Sequence, residues 1–598
     1  MNADVAAFNT IITNSRFRIP FFQRRYVWNT PEWTRFLEDI ELLEHRPSTY
    51  FLGSIILKKT GVDRGFTEYE VIDGQQRFTT LFLFMKFLHL KAGNNRDFIR
   101  AYMRAGNSTL PILDHNQDDR QSFERILNRE GADTPITNPR NIIEQAYVFF
   151  QNHYNDQERA LTAEQAQELI DRIYNMIRMV RITVDQDDDE QQIFDTINTL
   201  GVDLNTDELV KNFLYQAEDE QLYNQNWRPV FDAEDADSFW RTDLTAKRQD
   251  KQKKEDKTIE KFFHAFIHIK ISDFDINDTD RKIFTRQDEL ANTCKRFINN
   301  FNVDKQDLAN EIISYAKLYK KYFDPQILDS PIPRENGADR LAYIILAAKT
   351  PTVIPYFLYI LTKVTDANEQ RMIFGYLETY LVRRLLTQRG SNDYYRLFGE
   401  YLFKGKAFSF ATLFEFISEK DHTTNLAMPD YDEIKRATNS RTKDIGEDTA
   451  RLILYLYEAK THNITSSYNE HRAVSLMAAN ADATRGWERY DRNTDEEDLR
   501  QQLTKTLGNY FLIEDGRNRV RGAYTPAQKI AEIAEYCNYA RINEGGHEDN
   551  QRYYRVNYGL TSPNTRELKT NWTSKDISER NTTLATGICK LWPLPEQN

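Results

Sequence analysis

The sequence predicts an α+β, predominantly helical protein of several domains. Three observations carry this. At 598 residues the chain exceeds what one hydrophobic core organises, so roughly three to four domains are expected. Short runs of aromatic and β-branched residues cluster before position 90 and again near 180. From 221 to about 445, apolar residues instead recur at helical spacing, as in RLAYIILAAKT and RMIFGYLETYLVRRLLTQ.

Taken in order, FRIPFFQRRYVW (17–28) leads to Thr30-Pro31-Glu32, a helix start with Thr30 as cap and Pro31 in first position. YFLGSIILKK (50–59) reads as a strand and EYEVI (68–72) as a second. DGQQR (73–77) follows, then an apolar run over 78–90. Thr79, Thr80, Lys86 and His89 interrupt that run, so it reads as a buried helix, short of the roughly 20 apolar residues that a membrane span needs. RMVRITVDQ (178–186) is a strand returning to the sheet. DEQQIFDTINTLG (189–201) is a helix that Gly201 can end with positive φ. Asn205 caps the next helix, with Glu208 three positions on as in a capping box. The polar stretch 418–446 is the best boundary, and TARLILYLYEA (449–459) opens a new unit. The predicted domains are therefore 1–220, 221–445 and 446–598. No internal repeat or low-complexity tract is evident.

Composition narrows the function classes. The chain is 40% hydrophobic and 28% charged, a globular balance, and its amino terminus lacks a secretory pattern, so a cytoplasmic location with no membrane contact is expected. Cys294, Cys537 and Cys589 lie far apart and pair in no metal-binding spacing. A net charge of −12 opposes DNA binding by the general surface, so any DNA contact needs local basic patches. Candidates are Arg18 with Arg24 and Arg25, the run 246–257, Arg383/Arg384/Arg389, and Arg517/Arg519/Arg521; a mixed run such as 246–257 also reads as a solvated face.

The DGQQR turn carries the most specific chemistry. A turn entering a helix gathers free N–H groups and the positive end of the helix dipole, which suits a phosphate. Gly74 permits close approach, and Arg77 can grip phosphate oxygens at two points. Gln75 and Gln76 can orient a water or read a base edge, and Asp73 can hold magnesium through water. The same spacing fits a plain turn with a solvated arginine.

IPFFQRRYVW, FLGSIIL and DGQQR followed by FTTL together resemble the amino-terminal domain of the GmrSD-like family of phage-defence, modification-dependent restriction proteins. IFDTINTLGVDLNTDELVKNFL (193–214) and YLVRRLLTQRGSNDYYRLF (380–398) are similar to that family's later blocks. The resemblance spans roughly 10–400. It implies a ParB/sulfiredoxin-like α/β domain that hydrolyses an NTP, GTP or ATP, with Mg2+ or Mn2+. Asp73, Gln75, Gln76 and Arg77 are then its reactive set. Gln23, Arg24, Tyr26 and Gly74 line the same pocket, and Asn198 and Gly201 brace it. Phe21, Phe22, Tyr26 and Trp28 could stack on a base, or form core.

Relatives often end in an HNH-type nuclease of the ββα-metal kind. LGNYFLIEDGRN (507–518), Lys529 and NWTSKDISERNTTLATGICKLWPLP (571–595) resemble it, which assigns Asn509 and Asn518 to the metal-bearing loop. The histidine segment departs from the pattern. Spacing to Trp487 sets Ser475 where the histidine belongs; the other alignment uses Glu470-His471. Serine is no general base near neutral pH, so the nuclease reading depends on His471. The expectation is a phage-defence, modification-dependent DNA restriction protein coupling NTP hydrolysis to recognition and cleavage of modified phage DNA. The alternatives are a nuclease-silent NTPase sensor or a DNA-binding regulator, acting as a homodimer or with a partner defence protein.

Overall fold

The computed structural model describes residues 2–45, 49–104, 107–131, 134–156, 159–184, 205–242, 257–387, 393–419, 426–439, 444–461, 464–477, 502–514 and 573–594. The chain divides into two compact units, Met1–Pro229 and Val230–Asn598. Helices dominate, and one mixed sheet organises the first unit, an α+β arrangement.

That sheet contains β1 (Asn2–Ala7), β2 (Ser15–Arg18), β3 (Tyr50–Asp63), β4 (Phe66–Asp73), β7 (Leu113–Asp114) and β8 (Ile177–Val184). A separate ribbon pairs β5 (Met103–Arg104) with β6 (Asn107–Pro111). The six strands lie in the order β1-β8-β3-β4-β2-β7. β3 and β4 form an antiparallel hairpin, β8 runs parallel to β3, and β2 runs parallel to both β4 and β7. The predicted strands at 50–59 and 68–72 fall inside this sheet, as do residues 178–184 of the one predicted at 178–186, whose last two residues lie outside the described ones.

The helices of this unit include α1 (Phe8–Ile12), α2 (Thr30–His45), α3 (Gln75–Lys91), α4 (Asn95–Tyr102), α5 (Gln117–Leu127), α6 (Ile142–Asn155), α7 (Ala163–Met176) and α8 (Thr206–Leu214). The first-turn cap of α2 is Asn29, one residue before the expected Thr30. Asn29 O accepts the first intrahelical bond from Trp33, and the Glu32 carboxylate reaches back to Asn29 N–H at 2.9 Å. Glu32 sits three residues after Asn29, the spacing this reciprocal bond needs.

The helix α3 is the centre of the unit. Phe78, Leu81, Phe82, Leu83, Phe84, Met85, Phe87 and Leu88 are all fully buried, and α4, α5, α6 and α7 pack around it. A helix apolar on every side belongs inside a core, and each such side chain contributes about 1.5–3 kcal/mol. The polar residues that interrupt the run tie it to its neighbours. Thr79 bonds to His115, Thr80 to Tyr26, and Lys86 Nζ donates to Asn95 at 2.7 Å.

The second unit is built around α9 (Thr258–Lys270), α10 (Ala338–Ala347), α11 (Ile354–Lys363), α12 (Ala367–Thr387), α13 (Tyr431–Asn439), α14 (Glu447–Thr461) and α15 (Ser574–Leu591). Its deepest polar link joins Arg340 Nε to Glu378 at 2.9 Å, with Trp592 Nε1 on the other carboxylate oxygen at 2.8 Å. A short hairpin of β9 (His471–Ser475) and β10 (Tyr510–Glu514) packs on α14. No helix among the described residues is long and apolar enough to cross a membrane.

Candidate functional site: the glycine turn before the buried helix

Strand β4 ends at Asp73 and α3 begins at Gln75, so one residue makes the turn. Gly74 has φ +91°, and a Cβ there would lie 3.0 Å from Ser54 O and 3.2 Å from Ile55 Cα. Both the left-handed backbone and the close approach to β3 require glycine. Gly53, on β3, does the complementary thing. It too has positive φ (+120°), and a Cβ would meet the Arg77 guanidinium 3.1–3.2 Å away. Arg77 therefore lies along the bare backbone of β3 and donates from Nη1 to Ser54 O at 3.2 Å.

Phe78 N–H makes the first intrahelical bond, to Gly74 O at 3.0 Å. The amides of Gln75, Gln76 and Arg77 precede it and find no acceptor among the described residues. The half-buried Asp73 carboxylate likewise has no partner among the described residues. Three amides without an acceptor among the described residues and a guanidinium with one neutral contact there thus meet at the start of a 17-residue helix, with the Asp73 carboxylate two residues before it.

The two glutamines do different work from that expected. Gln76 Oε1 accepts from Val27 N–H at 2.8 Å and Trp28 N–H at 3.3 Å, while its Nε2 donates to Arg25 O at 3.1 Å. Gln75 Nε2 donates to Arg24 O at 3.2 Å. These amides hold the extended segment 24–28 across the turn and are buried in doing so. Gln23 joins from the other direction, donating to Ile72 O at 3.0 Å. Asn116 Nδ2 reaches Gln23 O at 3.3 Å. Arg24 is left half-buried with no side-chain partner among the described residues. The helix α8 closes the group. Leu209 packs on Ile56 and Ile72, and the Asn212 amide, oriented to satisfy both carbonyls, donates to Phe22 O at 2.8 Å and Glu208 O at 3.2 Å. The expected capping box is present, with Glu208 accepting from Asn205 N–H at 2.8 Å.

Tyr26 is part of the core. It is 2% exposed; its hydroxyl meets Thr80 at 2.6 Å and accepts from Trp33 Nε1 at 2.9 Å, and burial pushes its pKa up. Tyr26 N–H donates to Asp119 at 2.6 Å. Asp119 lies 3.8 Å from His115 Nδ1, and His115 Nε2 meets Thr79 at 2.8 Å. Burial pushes the Asp119 carboxyl up to about 7, outweighing the Tyr26 amide that lowers it. Burial pushes the His115 imidazole down to about 3, with Arg120 adding to it. In mildly acidic solution the Asp119 carboxyl therefore keeps its proton while the His115 imidazole stays neutral. Sequence reading missed Asn116, Asp119 and His115; HNQDD (115–119) carries only an N-cap signal, which Asn116 does supply to α5.

In the second unit the expected residues are consumed by structure. His471 is 1% exposed, with Nδ1 against Ser467 O at 2.8 Å, Nε2 facing Ser466 Oγ at 3.4 Å and its ring on Tyr455. Asn509 is fully buried. It donates to Met477 O at 2.7 Å and Thr504 O at 2.6 Å, and accepts from Met477 N–H at 2.9 Å. Ser475 lies opposite Tyr510 in the hairpin and is half-buried. Arg383 and Arg384, offered as a basic patch, are 2% and 1% exposed. The first holds Trp592 O and Pro429 O, and the second lies on Tyr380 and Tyr394, so neither can meet a phosphate backbone. Asn198, Gly201, Trp487, Asn518, Lys529, Arg389, residues 246–256 of the run 246–257 and Arg517/Arg519/Arg521 lie outside the described residues, and Lys257 precedes the first turn of α9. Among the described residues no group of three or more His, Cys, Asp or Glu could hold a metal.

The first unit is thus an α+β domain whose polar groups collect where a glycine turn enters its central helix. Residues 7–215 match the family model described as GmrSD restriction endonuclease, N-terminal domain. That stretch contains every element of the turn, from segment 20–28 to α8. The match supports a restriction-type, DNA-cleaving defence role, with DNA as substrate. No curated protein matches the chain.

Proposed function

We propose that the Gly74 turn binds the polyphosphate of an NTP, GTP or ATP, and that its hydrolysis is coupled to recognition and cleavage of modified phage DNA. The convergence of three free helix-end amides with the Arg77 guanidinium carries this reading. An anion there gains charge-assisted hydrogen bonds and the helix dipole together. Arg77 grips phosphate oxygens with the guanidinium edge not turned to Ser54 O. Asp73, adjacent and without a partner among the described residues, can hold Mg2+ or Mn2+ through water; when bound, the ion neutralises phosphate charge. Gln75 and Gln76 act by position, fixing segment 24–28 so that Arg24 stands beside the turn. A ParB-like assignment of this unit and an HNH-like one of 446–598 belong to the same reading, as do a homodimer and a partner protein.

The burial of His471 favours a second reading, in which the chain is a nuclease-silent NTPase sensor. A general base must reach its water, and His471 is sealed with both ring nitrogens occupied. One experiment separates the two. The full chain is incubated with modified and plain DNA, Mg2+ or Mn2+ and each NTP, while phosphate release and strand breaks are followed together. DNA-stimulated phosphate release that Arg77→Ala abolishes supports both readings, and strand breaks then select the first. No nucleotide binding by the intact protein would overturn both.

A further inference from the structure

Away from the turn, α9 carries His264 and His268 one helical turn apart, on the same face. Their Nε2 atoms face each other at 3.2 Å, with rings 4.5 Å apart. His268 is buried and His264 half-buried. The tautomer of His268 is set by its other nitrogen. Nδ1 lies 2.7 Å from Gly399 O, an acceptor only, so Nδ1 carries the proton and Nε2 is a bare lone pair. The chain is shaped to allow this. Residues Leu397–Tyr401 form a π-helical turn, and any Cβ at Gly399 would lie 2.9 Å from His268 Cε1. Tyr395 covers both rings at 5.4 and 5.6 Å while staying 40% exposed, so the pair lies close to solvent.

We infer that His264 and His268 form a two-imidazole site for a transition-metal ion of the zinc class. Two imidazoles ligating one ion at about 2.0–2.1 Å place their nitrogens about 3.2 Å apart, and a metal-bound histidine usually donates its other N–H to a backbone carbonyl. Both features are present here. Without the ion, His264 Nε2 donates its proton to His268; the ion takes that place and the proton moves to Nδ1 of His264. Arg281 acts on His268 as a like charge, and Glu400 in turn offsets Arg281, so the ion is held by the two lone pairs and not by a surplus of negative charge. Among the described residues no group of three or more His, Cys, Asp or Glu is placed to hold a metal, so the site is defined by its two imidazoles. Such a pair suits imidazole-preferring ions over Mg2+.

The test is a Zn2+ titration of the chelator-treated full chain by calorimetry, with Co2+ visible absorption as a second readout. The wild-type chain is expected to take up one equivalent that His264→Ala loses and His264→Cys, which keeps a ligating atom, retains. Gly399→Ala, which pushes the ring away while keeping both imidazoles, should weaken binding about tenfold or more. Far-ultraviolet circular dichroism checks that each variant is folded. If His264→Ala misfolds, Gly399→Ala and His264→Cys still decide. Absence of uptake by the wild type, or equal uptake by folded His264→Ala, overturns the inference.

Discussion

The glycine turn of the first unit and the hairpin of the second present the same residue types and treat them oppositely. At the turn, amide side chains hold backbone, and the charged groups Asp73, Arg24 and Arg77 find little or nothing to bind among the described residues. In the hairpin, the imidazole and amide that were to do chemistry are the ones that hold backbone. A residue's type therefore says little about its work. What counts is whether its polar atoms are already satisfied, because a buried group with all its bonds made has nothing left to offer a substrate.

The sharpest way to break this contrast is Arg77→Ala. NTP turnover is expected to fall on the order of 10²–10³-fold, the usual cost of one preorganised charge contact, with no change in melting temperature. His471→Ala should leave turnover intact while lowering stability; equal losses of turnover would erase the distinction. Asn509→Ala comes next. It strands a donor and two carbonyls in the core and should cost about 3 kcal/mol in urea unfolding, far beyond any effect on phosphate release. Gln76→Ala removes three bonds that are partly solvent-accessible. A loss of about 2 kcal/mol is expected, together with faster hydrogen exchange at Val27 and Trp28.

The buried pair behind the turn sharpens the comparison further. Between the ordinary carboxylate value of 3.8 and the ordinary imidazole value of 6.5, the unfolded chain carries one proton on His115 and none on Asp119. The folded pair also holds one, so its contribution to stability is flat with pH. Asp119→Asn leaves a histidine whose pKa is depressed on folding. Its contribution is then lost as pH falls from 6.5 toward 3, by up to about 1.4 kcal/mol per unit. His115→Gln leaves a carboxyl whose pKa is raised, and stability is lost as pH rises from 3.8 toward 7. Urea midpoints at about pH 4.5 and about pH 6.5 should move in opposite directions for the two variants. Parallel movement would show that burial does not shift the two groups in opposite directions. The smallest effect is expected from Gln75→Ala, which removes a single neutral bond: about 1 kcal/mol or less by the same unfolding measurement.

Much of this architecture was legible from residue order. The strands over 50–59, 68–72 and 178–184, the buried helix after DGQQR and the Asn205–Glu208 cap are all local patterns, set by side-chain period and by bonds spanning three or four residues. The need for glycine at 74 was legible as well, since a strand running directly into a helix leaves one residue for the turn. Only the tertiary structure decided which groups meet. Asn116 and Asp119 reach segment 23–26 across roughly 93 positions, Gly399 reaches His268 across 131, and Arg383 is sealed by Trp592 across 209. Such pairings follow from how helices pack around a sheet or on each other, and no local spacing encodes them. Burial is likewise a property of the whole fold, so the sequence could nominate His471 as a base and only packing could silence it.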